Sequence, residues 1–197
     1  MNSRVILVSD DRSSLRSPDT LLWPDAACMR GIHTGEWTAH IFEYAMSFEG
    51  NMTQVRELAA ANGVGVLHPH GALATDPPGL IVCDVDSTVT RTEAIDLLAE
   101  CAGNADEVRE ITARAMVGEL DFTQSLYARV RCLEGLHIGA LEEAWKATVI
   151  TPGTAELVAA AHEVGAAVGL VSGGFTALVD PLAEQIGADF AASHELE

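Results

Sequence analysis

The 197 residues suffice for one ordinary domain or a domain with a small appendage, and an apolar fraction of 48% can fill a core, which excludes a disordered chain. A formal charge of -18, with Lys146 the only lysine, argues against a nucleic-acid footprint or an anionic membrane surface, both of which need clustered Lys and Arg. Cys28, Cys83, Cys101 and Cys132 show neither zinc spacing nor a dense disulfide framework, and no apolar run reaches signal or membrane length, so a soluble cytoplasmic protein is expected.

Residues 4–8 read as a short strand, and the polar stretch 10–25, with Pro18 and Pro24, reads as loop. Residues 37–48 read as a strand, 51–62 as a helix stopped by Asn62-Gly63, and 64–67 as a further strand, which together make a small α/β appendage over 1–78. In His68-Pro69-His70 two imidazoles at i and i+2 could meet one ion, but no further ligand follows at suitable spacing, so they read as loop histidines. Asp76-Pro77-Pro78-Gly79, stiff and extended, is the domain boundary, and a second module is expected over 79–197.

That module opens on Leu80-Ile-Val-Cys-Asp84-Val-Asp86-Ser-Thr, an apolar run ending in two carboxylates and two hydroxyls. Continuous apolar residues without alternation suit a parallel strand covered on both faces, and ligands collect beyond the carboxyl ends of such strands, where Asp84 stands. The chain turns after Asp84, so the two carboxylates can converge on one substrate atom and one cation. That suits phosphoryl transfer, with one carboxylate attacking phosphorus and its neighbour protonating the leaving oxygen. The same tetrapeptide also fits an ordinary Asp-rich turn.

Four helices follow, over 93–101 closed by Gly103, from Asn104 or Asp106 to about 117, from Asp121 onwards carrying Arg129, and over 141–148. They form an insertion, about 99–150, that resembles a cap over a site. A helix over 155–163 and a second buried strand over 167–172 place Ser172 at the position equivalent to Asp84, and Gly173-Gly174 then lead into a helix over 175–186. A hydroxyl and free backbone donors at a helix start suit a phosphate oxyanion.

Taken in order, Asp84-Val-Asp86-Ser-Thr, Glu93-Ala-Ile-Asp, Ala115-Met-Val-Gly-Glu-Leu-Asp-Phe-Thr-Gln-Ser-Leu-Tyr-Ala-Arg129-Val and Val171-Ser-Gly-Gly-Phe resemble the haloacid dehalogenase (HAD) superfamily of phosphotransferases, and within it the phosphoserine phosphatases. The resemblance implies an α/β, Rossmann-like core with a parallel sheet and a helical cap, and magnesium-dependent hydrolysis of O-phosphoserine through an aspartyl-phosphate, the last step of serine biosynthesis. It implies Asp84 as nucleophile and magnesium ligand, and Asp86 as acid and base that also offers its backbone carbonyl to Mg2+. Ser172 and Gly173 would hold the phosphoryl oxygens, Glu93 the substrate ammonium and Arg129 its carboxylate, with Met116 and Phe122 closing the cap. Residues 1–78 distantly resemble the small regulatory amino-acid-binding domains that precede some members, and no ligand follows from that.

The family pattern also holds a lysine near the nucleophile and a Gly-Asp-x-x-x-Asp-like segment that completes the magnesium carboxylates, and neither occurs among the 197 residues. The expected consequences are an incomplete sheet whose first strand is an exposed apolar edge prone to self-association, and impaired turnover, because carboxylates and phosphate gather unbalanced negative charge. The alternatives left open are a non-catalytic fragment, a module that binds a phospho-amino acid, or a related phosphatase or phosphotransferase with another small substrate.

Overall fold

Pro77 and Pro78 separate two units, Met1–Pro77 and Pro78–Glu197, in a computed structural model that describes residues 3–9, 27–33, 38–44 and 52–196. The first unit contains β1 (Ser3–Ser9), β2 (Ala27–His33), β3 (Thr38–Tyr44), α1 (Met52–Ala61) and β4 (Gly65–Leu67), with sheet order β2-β3-β1-β4 and antiparallel pairing throughout. Val5 and Leu7 alternate along β1 and are buried, as period-two patterning requires of a strand with one covered face. The strands expected at 4–8 and 64–67 and the helix at 51–62 are present. Trp37, Phe48 and the expected loop over 10–25 lie outside the described residues.

Strand β2 was not anticipated. Gly31 and flanking polar residues blur its alternation, and at the sheet edge it needs only β3 as a partner. His70 Nδ1 lies 3.0 Å from the His68 carbonyl oxygen, and among the described residues no group of three His, Cys, Asp or Glu side chains converges on a metal position.

The second unit is built on a parallel sheet of order β5-β6-β7, with β5 at Leu80–Cys83, β6 at Ala167–Phe175 and β7 at Phe190–His194. Between β5 and β6 run α2 (Ala94–Ala102), α3 (Ala105–Met116), α4 (Phe122–Arg131), α5 (Gly139–Ala147) and α6 (Thr154–Glu163), and α7 (Thr176–Ile186) connects β6 to β7. The central strand β6 buries Val168 and Leu170 against Val158 and Ala161 of α6 and Val179, Leu182 and Ile186 of α7. A second core joins Ile95 and Leu98 of α2 to Val108 and Ile111 of α3, and Phe175 and Leu178 extend it into the sheet unit. Trp145 packs against both cores, so the helical insertion and the sheet share side chains across their junction.

Helix ends follow their local chemistry. Asp121 and Gln124 form a reciprocal capping box at the start of α4, with bonds of 2.8 and 3.1 Å, and Gly103 ends α2 at φ 73. Asn104, one of two residues read as a cap for α3 along with Asp106, occupies the N-cap position, but its side chain caps nothing in the helix: Nδ2 donates to the Cys132 carbonyl at 2.7 Å and ties the α2–α3 corner to the end of α4.

Strand β7 was also unanticipated, because its alanines carry little strand signal; pairing with β6 creates it. A Cβ on Gly169 would fall 2.0 Å from the Phe190 ring, so Gly169 is the position that lets β7 dock. Beside it, the Asp189 carboxylate accepts the Val168 N–H at 2.7 Å and lies 3.0 Å from His162 Nε2, and these partners hold its carboxyl below the usual aspartate range. No helix among the described residues is long and apolar enough to cross a membrane.

Strand β5 is the exposed apolar edge expected from the absence of the Gly-Asp-x-x-x-Asp-like segment, rather than a strand covered on both faces. It pairs only with β6 among the described residues, and Leu80 and Val82 are 53% and 52% exposed. A flat apolar edge with open backbone groups templates further pairing. Light scattering across a concentration series should therefore show self-association that Val82→Lys suppresses; a monodisperse monomer at every concentration would remove this role from the edge.

Candidate active site

The polypeptide leaves β5 at Cys83 and enters a tight turn over Val85–Val89, closed by a 2.9 Å bond from Thr90 N–H to the Val85 carbonyl, with Val85 and Val89 buried as anchors. Asp84 has extended backbone (φ -69, ψ 155), and its Oδ2 accepts the Thr88 hydroxyl at 3.2 Å. Asp86 Oδ1 accepts the Ala94 N–H at 2.7 Å, which caps α2 from outside the helix, and Oδ2 accepts the Ser172 hydroxyl at 3.0 Å. The Gly174 N–H donates to Ser172 Oγ at 2.8 Å, so one chain of bonds joins the turn after β5, the start of α2 and the end of β6. A Cβ on Gly174 would sit 3.0 Å from both Asp86 Oδ2 and Ser172 Oγ, which is why the closest approach of the two strand ends occurs at a glycine.

Above these strand ends lies a pocket of about 290 Å³, lined by Asp84, Asp86, Glu93, Arg129, Gly173 and Gly174, with Ile95, Phe122, Leu126 and Phe175 as its apolar wall. Helix α4 contributes Phe122, Leu126 and Arg129, at i, i+4 and i+7, a single stripe of an α-helix. The Phe122 ring lies over Gly173, 3.5 Å from where its Cβ would be, and 6.3 Å between centroids from the His194 ring at the end of β7. Arg129 donates Nε to the Ser125 carbonyl at 3.4 Å and forms no ion pair among the described residues, which leaves guanidinium donors available to a ligand carboxylate. Three carboxylates and one guanidinium set the electrostatics of this lining.

Of the residues singled out from sequence, Asp84, Asp86, Glu93, Phe122, Arg129 and Gly173 line the pocket. Ser172 stands one bond behind it, its hydroxyl turned to Asp86. Met116, at the end of α3, is 83% exposed and does not line it. Ile95, Leu126 and Phe175 were missed; helical spacing from Phe122 and Arg129 was the available signal for Leu126, whereas Ile95 and Phe175 read as plain core. Lys146 pairs with Glu142 on the exposed face of α5, each holding the other in its charged form, as a solvated helix charge does.

For the expected magnesium, the available donors are the Asp84 carboxylate, one of whose oxygens has no protein donor among the described residues, and the Asp86 backbone carbonyl. Both carboxylate oxygens of Asp86 are already engaged. No third carboxylate, His or Cys joins them among the described residues. Magnesium commonly takes one or two carboxylates and completes its shell with waters and substrate phosphate, so this donor set fits such an ion.

A family model for haloacid dehalogenase-like hydrolases matches residues 78–197. A phosphoserine phosphatase of Streptomyces coelicolor is 46% identical over 139 residues, covering 71% of this chain and 34% of that protein. One of Streptococcus thermophilus is 50% identical over 119 residues, covering 60% of this chain and 55% of that protein. The chain thus spans roughly a third to a half of the length of these relatives. Among solved structures, a phospho-aspartyl intermediate analogue of a phosphoserine phosphatase is 39% identical with a TM-score of 0.58, covering 62% of this chain and 58% of that one.

Because Gly174 is not at positive φ and a Cβ there would crowd Asp86 Oδ2 and Ser172 Oγ at 3.0 Å, Gly174→Ala should keep the fold while pushing Asp86 and Ser172 apart. Its expected effect is a thermal stability within about 1–2 kcal/mol of the parent together with at least a severalfold weaker affinity for phosphate, read by calorimetry. Unchanged phosphate affinity would mean that this junction does not shape the pocket.

Proposed function

Because the chain belongs to the haloacid dehalogenase-like hydrolase family, we propose that it hydrolyses O-phosphoserine to serine and phosphate, with magnesium and through a phosphoryl group carried on Asp84. The observation that carries this reading is one pocket that gathers two strand-end carboxylates, Asp84 and Asp86, with Glu93 and Arg129 from the helical insertion. A zwitterionic phospho-amino acid needs a nucleophile at its phosphorus, an anion at its ammonium and a two-point cation at its carboxylate. The relatives named phosphoserine phosphatase support the substrate.

In this account an Asp84 carboxylate oxygen attacks phosphorus, and the seryl oxygen leaves with the bonding electrons and takes a proton from Asp86. Water then attacks the acyl phosphate, gives a proton to Asp86 and releases phosphate, which restores the Asp84 carboxylate. The Ala94 N–H holds one Asp86 oxygen in place throughout. Turning the Ser172 hydroxyl from Asp86 Oδ2 to a phosphoryl oxygen frees Oδ2 to carry the transferred proton and, with Gly173, supplies donors to the phosphoryl group. Phe122 covers Gly173 and limits water at the reacting centre. Asp84 and the Asp86 carbonyl would hold a magnesium ion, which when bound would supply positive charge against the carboxylates and phosphoryl oxygens. We take this reaction to be the last step of serine biosynthesis, in the cytoplasm, as the family resemblance and the cysteine usage lead one to expect.

A second reading, capture of the phospho-amino acid without turnover, draws on the same lining: Arg129 is its only Lys or Arg, and among the described residues the metal carboxylates number fewer than three. Phosphoserine binding without phosphate release would favour it.

Phosphate release from O-phosphoserine and from p-nitrophenyl phosphate, compared for Glu93→Gln and Arg129→Lys, tests the substrate assignment. Each variant should raise KM for phosphoserine by about tenfold or more and leave the generic ester within about threefold, since only the former uses charge-assisted bonds to these side chains. Equal losses on both esters would contradict the assignment.

A further inference from the structure

We infer that Ser87 is a positioning residue that fixes the Glu93 carboxylate in the pocket and thereby sets selectivity for a substrate ammonium; this rests on the reading of Glu93 given above. Glu93 occupies the N-cap position before α2, where a side-chain oxygen can accept an N–H of the helix's first turn. It makes no such bond. Asp86 accepts the Ala94 N–H, and the side chain of Glu93 lines the pocket. A glutamate released from its helix has several rotamers open to it, and an ammonium ligand would have to order them.

Ser87 supplies that order. Its hydroxyl donates to Glu93 Oε1 at 2.5 Å, while its backbone N–H reaches the Thr92 carbonyl at 3.5 Å. Its φ of 55° makes it the one non-glycine residue at positive φ among the described residues, a conformation that L-residues with a side chain avoid. Glycine would fit this position with less strain, and serine adds only a hydroxyl that meets Glu93. An unfavourable backbone state retained beside a pocket, with its side chain spent on a pocket carboxylate, is the pattern of strain held for function. The hydroxyl donates to one Glu93 oxygen and leaves the other to a cation.

The test measures binding of O-phosphoserine and of its amine-free counterpart, the phosphate ester of 3-hydroxypropionate, to the full chain by calorimetry, with phosphate release followed in the same samples. Ser87→Gly should keep or raise the thermal midpoint, because it relieves the backbone. It should weaken phosphoserine binding about tenfold, the scale of one hydrogen bond to a charged group, and change the amine-free ester by about twofold or less. In a Glu93→Gln background the same substitution should have no further effect on phosphoserine. If the unsubstituted chain prefers phosphoserine and Ser87→Gly keeps that preference, or weakens both ligands alike, the role of Ser87 is overturned while that of Glu93 stands. An unsubstituted chain that shows no preference between the two ligands overturns the Glu93 reading and the role of Ser87 with it.

Discussion

The site depends on how one carboxylate is held. Asp86 lies three residues past the end of β5, and its two oxygens are bound to groups distant in sequence: the Ala94 N–H that begins α2, and the Ser172 hydroxyl at the end of β6. A carboxylate at the turn after β5 needs donors, and these two fasten three pieces of chain at one point. The Ser172–Gly174 bond extends the same junction to the turn before α7. With the sheet end and the start of the insertion pinned, α4 presents its Phe122, Leu126 and Arg129 stripe to the same space.

That arrangement divides the labour among acids of similar chemistry. Among the described residues one Asp84 oxygen has no protein donor, Asp86 is oriented by two donors, and Glu93 turns its carboxylate to the pocket rather than to its helix. The lining is rich in negative charge, with Arg129 its one guanidinium, so a ligand bearing an ammonium and a carboxylate meets matching partners, whereas its phosphate requires added positive charge. The magnesium-type donor set of Asp84 and the Asp86 carbonyl is consistent with that requirement.

Much of this was legible in the sequence wherever the signal is local. Apolar runs ending in Asp84 and Ser172 marked two parallel strands, Gly103 marked the end of α2, and Asp121 with Gln124 marked the start of α4. What stayed hidden is set by partners far along the chain. The alanine-rich β7 exists because β6 offers Gly169 for Phe190 to cover, and the Asn104 side chain bonds to the Cys132 carbonyl, 28 residues away, rather than capping its own helix. The half-exposure of Leu80 and Val82, by contrast, was legible only from the absence of the Gly-Asp-x-x-x-Asp-like segment and from no residue of β5 itself. In the site, spacing could have found Leu126, but the left-handed Ser87 and the outward turn of Met116 are consequences of packing.

The central claim is that Asp84 carries the phosphoryl group. The direct measurement is phosphate release from O-phosphoserine with magnesium by this chain beside its Asp84→Asn variant. The account requires release by the former and its loss, by about a thousandfold or more, in the latter, as removal of a covalent nucleophile entails. Release at similar rates from both, or no release from either, would contradict it.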